Sequence, residues 1–239
     1  MVARQPPRLY LLAEIAFVLG VEAVLVQAVP LSQVLNGGWA GRLYSPTRVV
    51  LVLILIGWLL HRTGSTWSEI GVRRPASWPR TIGLGVAGFV VIFLVDQVLI
   101  RPAIDALGLG AGSIGGLTVI QGNLLEYLYW AGPMTVFVAA IGEEFVGRAY
   151  LISRIETAIG SNGPGASLLA LLLSSIIFGL GHAYQGPAGI VGTGAIGFLF
   201  GLLFLIAGRN IWAAVIAHGL TDVFGFTMIY LGAVPAAPA

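Results

Sequence analysis

Hydrophobic positions in this chain come in long unbroken runs, without the period-two alternation of a half-buried strand or the one-sided stripe of a soluble helix. The runs go from about Leu9 to Val29, Val49 to Leu60 (with a start reaching back toward Pro46), Thr81 to Ile100, Leu124 or Pro133 to Ile159, a fifth run ending near Tyr184, Pro187 to Ala207, and Ile211 to Leu231. Most approach the ~20 residues that an α-helix needs to cross the hydrocarbon of a bilayer. The pattern predicts an all-α, polytopic transmembrane helix bundle of about seven spans, with room for an eighth, in a single membrane domain over residues 1–239.

Breaks between the runs carry their own signals. Arg101-Pro102 is expected to end the third helix, because the residue before a proline is pushed out of helical geometry. "GSNGPGA" reads as a loop from its Gly, Asn and Pro content. "LGLGAGSIGGLTVIQGN" reads as a loop or a short re-entrant piece, and "HRTGSTWSEIGVRRPASWPR" is the longest polar connection. Residues 232–239 are expected to form a disordered tail. The first run stands behind Arg4 and Arg8, is too long for a signal-peptide core and has no small-x-small cleavage site, so it reads as a retained helix. Gly189, Gly192, Gly194, Gly197 and Gly201 load the sixth helix with small residues, which suits close packing in lipid.

Composition sharpens this picture. Of 239 residues 57% are hydrophobic and only 9% charged, against about 25% charged in a soluble domain. The net charge of +2 comes from arginine alone and is too small an excess for a nucleic-acid surface. The absence of cysteine excludes disulfides, thiolate metal sites and a cysteine nucleophile. With the N-terminus inside, Arg4, Arg8, Arg62, Arg73, Arg74, Arg80, Arg154 and Arg209 fall on the cytoplasmic side, and Arg42, Arg48 and Arg101 on the other. That bias favours a cytoplasmic N-terminus. Trp58, Trp67, Trp78, Tyr127, Trp130, Trp212 and Tyr230 lie near expected helix ends and read as interfacial anchors. An Ala- and Gly-rich, arginine-only chain reads as bacterial, hence as a protein of the inner (plasma) membrane.

Charges inside the spans demand an explanation. Glu143, Glu144 and Arg148 lie within six residues of the fourth run. At roughly 2.5 to 3.5 kcal/mol for each charge at a helix centre, the three cost about 8 to 10 kcal/mol before pairing. At about 100° per residue, Glu144 and Arg148 share a face and can pair, while Glu143 points about 140° away from Arg148 and needs another partner. The fifth helix carries Phe178 and His182 four apart, and the seventh His218 and Asp222 four apart. Each element alone fits a packed polar residue or an ion cluster that only holds helices together. Together, Glu143, His182, His218 and Asp222 can converge on one polar cavity, and a carboxylate beside an imidazole in a partly dry site is equipment for activating water. Glu14, Glu22, Asp96 and Glu126, also in or near apolar runs, leave a proton-coupled transporter open as an alternative, although no inverted repeat of hydropathy is visible.

The ordered pattern E-E-x-x-x-R, F-x-x-x-H, H-x-x-x-N/D, here Glu143-Glu144 with Arg148, Phe178 with His182, and His218 with Asp222, resembles the CPBP family of intramembrane proteases, also called the Abi or type II CAAX-protease family. The resemblance covers about residues 124–225 and places the site on the fourth, fifth and seventh helices. It implies an endopeptidase acting on a membrane-associated or lipid-anchored peptide or protein, with the bilayer as its setting. Glu143 is implied as general base, His182 as its partner in binding water, and His218 and Asp222 on the oxyanion side; Glu144, Arg148 and Phe178 are implied as supporting residues. A non-catalytic bacteriocin-immunity role for the same pocket is also implied. This chain departs from the common pattern with Gly147 and Ala149 around the arginine and with Asp222 where many relatives have asparagine. An ionised aspartate cannot donate a hydrogen bond, so Asp222 must be protonated, orient His218 or help bind a metal. No cofactor is required by a glutamate mechanism; zinc is the alternative, with Glu143, His182, His218 and Asp222 as candidate ligands, although the H-E-x-x-H signature of the usual zinc proteases is missing.

Overall fold

The computed structural model describes residues 6–29, 34, 38–110, 112 and 115–233. Arg4 and the 234–239 part of the expected tail lie outside the described residues. Seven helices are long and apolar enough to cross a membrane: α1 (Arg8–Ala28), α2 (Gly38–Arg62), α3 (Trp78–Ala106), α4 (Leu124–Ile159), α5 (Pro164–Gly181), α6 (Gly186–Ile206) and α7 (Trp212–Tyr230). No strand occurs among the described residues.

Three boundaries differ from the sequence expectation, and a fourth falls on one of two expected starts. Helix α2 begins at Gly38 rather than near Pro46 or Val49, with Pro46 inside it. The polar residues that hid this start are satisfied by other helices: Arg42 pairs with Glu126, Arg48 with Glu22, and the Tyr44 hydroxyl donates to the Leu25 carbonyl. Helix α3 does not stop at Arg101-Pro102 but runs on to Ala106. A π turn over Asp96–Ile100, with the Arg101 N–H on the Asp96 carbonyl, widens the backbone ahead of Pro102, and a local π adjustment is one way a membrane helix absorbs a proline. Helix α4 takes the earlier of its two expected starts, capped by the Asn123 side chain, which accepts from the Glu126 N–H, and carries Pro133 internally. Helix α5 ends at Gly181, short of Tyr184, and a 3₁₀ turn over Ala183–Gln185 leads into α6.

Small residues set the closest crossings, as lipid-embedded packing requires. A Cβ on Gly179 of α5 would stand 2.4 Å from the Ile190 carbonyl oxygen and 3.1 Å from the Gly194 Cα of α6, so the two backbones meet almost directly. The main core lies where α1, α2, α4, α5, α6 and α7 converge, and Val50, Ile54, Val90, Val91, Leu94 and Ile176 turn outward. Trp58 and Trp78 are exposed as expected of anchors, but Trp130 is buried against Phe226 and Tyr129.

The two ends of the bundle differ in chemistry. At one end the Arg8 guanidinium donates to the Ile159 carbonyl, Arg73 to the Gly208 carbonyl and Arg154 to Thr63 and Ser65, while Arg209 grips Glu156 with two hydrogen bonds. The long polar connection is folded onto this end: Ile70 is buried, Trp67 packs on Phe145, and the Asn210 and Trp212 side chains both donate to the Arg73 carbonyl. At the opposite end the Gly122 N–H donates to the Tyr230 carbonyl, and Tyr127 stacks on Tyr230.

Candidate active site

Helix α4 changes its winding where the charges stand. From Trp130 to Ile152 the backbone is π-wound except at Glu144, whose N–H turns back to the Ile141 carbonyl. The Thr135 hydroxyl bonds the Trp130 carbonyl inside the wide stretch, and the Ser174 hydroxyl of α5 donates to the Gly147 carbonyl. The Gly147 departure therefore sits at an interhelical contact. π segments are rare and concentrate at functional sites; here the interruption falls between the two glutamates.

The expected ion pair is present and fully interior. Arg148 Nη1 lies 3.1 Å from Glu144 Oε1, with side-chain exposures of 1% and 0%. Arg148 also donates through Nη2 to the Gly197 carbonyl at 3.0 Å, and its guanidinium lies 4.2 Å from the Phe178 ring centroid and 5.6 Å from that of Phe200. Planar cation stacking of this kind favours arginine over lysine. The same Glu144 oxygen accepts from His218 Nδ1 at 2.8 Å. Glu144 thus joins α4 to α7, a contact that the spacing of one helix could not reveal.

That hydrogen bond fixes the chemistry of His218. A carboxylate can only accept, so Nδ1 carries the proton and Nε2 is left for other work. Nε2 faces Asp222 Oδ1 at 3.7 Å and Glu143 Oε2 at 3.9 Å, separations that a water or a substrate atom can bridge. Phe200 stacks under the imidazole at 4.6 Å and 17°, and Phe178 meets it edge-on. His182 stands at the end of α5, half-buried rather than deep in the span. Its Nδ1 lies 2.9 Å from the Phe178 carbonyl, which likewise commits Nδ1 as donor and leaves Nε2 as an acceptor. His182 makes no hydrogen bond to Glu143, His218 or Asp222; it joins the group through the Phe178 ring at 4.7 Å and faces Tyr184 on its other side at 5.9 Å.

The acidic residues sort themselves by partner. Glu14, Glu22, Asp96, Glu126, Glu144 and Glu156 each pair with an arginine. Glu14 also accepts from the Tyr150 hydroxyl at 3.1 Å. Glu69 and Asp105 lie exposed near helix ends. Among the described residues that leaves Glu143 and Asp222 as the intramembrane carboxylates without an arginine, 30% and 25% exposed and both beside His218 Nε2. The charges that had left a transporter open are therefore held in ion pairs. Among the described residues no group of three His, Asp or Glu side chains is drawn together at metal-binding geometry.

Sequence reasoning predicted α6 as a span but gave it no part in the site. Phe200 and the Gly197 carbonyl complete the site, and the packing explains the glycine: a Cβ at position 197 would meet Phe178 Cδ1 at 2.7 Å and Arg148 Nη2 at 3.0 Å. The glycine pattern of α6 was visible in the sequence, but not that one member of it seats the motif arginine.

No curated protein and no solved structure matches the chain. A family model does match, over residues 125–224, with the description type II CAAX prenyl endopeptidase Rce1-like. The matched segment runs from the start of α4 to just past Asp222 and contains Glu143, Glu144, Arg148, Phe178, His182, Gly197, Phe200, His218 and Asp222. The match supports a protease in general, set by the seven apolar helices in a membrane. Over residues 125–224 the chain is thus similar to the type II CAAX prenyl endopeptidase family model, in line with the resemblance that the ordered motifs carry.

Proposed function

We propose that this protein is an intramembrane endopeptidase in which Glu143 is the general base. A water held between Glu143 and His182 Nε2 loses a proton to the Glu143 carboxylate as its oxygen attacks the peptide carbonyl carbon. The tetrahedral oxyanion forms on the side of His218 and Asp222, where a proton shared between His218 Nε2 and Asp222 supplies the donor. Collapse breaks the C–N bond, and Glu143 returns its proton to the leaving amine. Glu144, tied down by Arg148, holds the His218 ring so that Nε2 faces the reacting atoms. No step requires a metal.

The observation that carries this reading is the sorting of the carboxylates: Glu143 and Asp222 are kept free of arginine and share one imidazole nitrogen. The test is cleavage of membrane-anchored candidate peptides by purified protein in detergent or proteoliposomes. Glu143→Gln, which preserves shape, is expected to lower turnover by about 10²- to 10⁴-fold, the usual worth of a general base, and His182→Ala to lower it as well. Wild-type turnover in both variants rules the mechanism out.

A further inference from the structure

The candidate site is closed on one side and open on the other. From Glu144 and His218 toward the arginine-rich end the core side chains are interior: Ala149, Tyr150, Ile152, Phe204, Ile211 and Ala214 are at most 1% exposed, and the Glu144–Arg148 pair is buried with them. Toward the opposite end, Glu143 and Asp222 are partly exposed, and His182 stands where α5 ends, next to a turn in which Tyr184 is 60% exposed. The partly exposed groups of the site thus lie toward the end that carries the α5–α6 turn.

The ends also differ in charge. The closed end holds seven of the described arginines against Glu14, Glu69 and Glu156, whereas the open end holds Arg42, Arg48 and Arg101 against Glu22, Asp96, Asp105 and Glu126. Arginine excess orients membrane proteins with the positive end in the cytoplasm. We infer that the site opens on the non-cytoplasmic face, so that its substrates are exported peptide segments: the outward portions of membrane proteins, or secreted peptides at the outer leaflet. Lipid-modified C-termini that remain in the cytosol lie on the wrong side. The substrate class rests on the protease reading; the direction of opening does not.

Because the chain has no cysteine, single-cysteine variants report topology without background. Gln121→Cys marks the open end, Ser161→Cys the closed end, and Tyr184→Cys and Asp222→Cys the route to the site. In intact cells a membrane-impermeant maleimide is expected to label Gln121→Cys fully and to leave Ser161→Cys unlabelled until permeabilisation. A small charged methanethiosulfonate is expected to modify Tyr184→Cys and Asp222→Cys in intact cells. Labelling of Ser161→Cys but not Gln121→Cys in intact cells overturns the orientation. Reaction of both route cysteines only after permeabilisation, or not at all, overturns the opening, and Tyr184→Cys decides alone if Asp222→Cys does not fold. None of these readouts depends on turnover, so the Glu143→Gln assay judges the protease reading separately.

Discussion

Replacing Arg148 with methionine tests the central pair. The side chain is 1% exposed and satisfies Glu144, the Gly197 carbonyl and the faces of Phe178 and Phe200. Methionine fills similar space but leaves a fully buried carboxylate without its counter-charge, held only by the His218 Nδ1–H, and the Gly197 carbonyl without its donor, and breaking a buried pair in this way costs about 3–5 kcal/mol. For a chain of this length that corresponds to a fall in melting temperature of roughly 6–20 °C. Glu144→Gln alone should cost a comparable amount, because it strands the guanidinium. The double variant Glu144→Gln/Arg148→Met removes both charges, and replacing a whole buried pair by neutral groups is often close to neutral. It is expected to regain at least about 1 kcal/mol over the sum of the single losses, within the usual range of coupling between contacting residues. Thermal unfolding in detergent, followed by size-exclusion chromatography of heated samples, gives the four corners of the cycle. Strict additivity, with the double variant losing the sum of the singles, would falsify the pairing. The same variants separate stability from chemistry: the double variant should stay slow in peptide cleavage even where it melts near wild type, because a neutral amide anchors the His218 Nδ1–H more weakly.

Three further outcomes follow from the same geometry. Gly197→Ala drives a methyl to within 2.7 Å of Phe178 and 3.0 Å of Arg148, so it should destabilise by about 1–3 kcal/mol as overpacking does and lower cleavage; unchanged melting and turnover would remove α6 from the site. Asp222→Asn keeps the shape and installs the alternative residue of the H-x-x-x-N/D pattern that the chain resembles, so turnover should remain within about tenfold of wild type, roughly 1.4 kcal/mol in the barrier; a loss as deep as that of Glu143→Gln would make Asp222 a proton-transfer group instead. Dialysis against a chelator, followed by metal analysis and cleavage assay, should leave turnover intact, and a loss reversed by added zinc would refute the metal-free step and favour the zinc alternative.

Helix count and the identity of the charged pair were legible because they depend on short-range periodicity. A bilayer fixes the length of a span, and a four-residue interval fixes which face Glu144 and Arg148 share. The start of α2 was hidden because Arg42 and Arg48 look like the end of a span until their partners on α4 and α1 are known. The passage of α3 through Pro102 was hidden because a π turn has no sequence signature. The contacts that build the site were hidden for a third reason: Glu144 to His218, Phe200 under the imidazole and Arg148 on the Gly197 carbonyl all depend on how α4, α6 and α7 dock. Glu143 and Asp222 stood out in the structure by elimination, once every other buried carboxylate had found an arginine.

The ion pair that joins Glu14 to Arg154 also bears on how the protein is made. Glu14 lies in the first helix and Arg154 near the end of the fourth, and at about 5–20 residues per second of synthesis roughly 7 to 28 s separate their appearance. During that interval α1 enters the membrane carrying a carboxylate whose partner does not yet exist. Arg42 awaits Glu126, Glu156 awaits Arg209, and Glu144 awaits His218 in the same way. Early helices therefore cannot complete their packing one by one, and a chain truncated before Arg154 leaves Glu14 without its guanidinium.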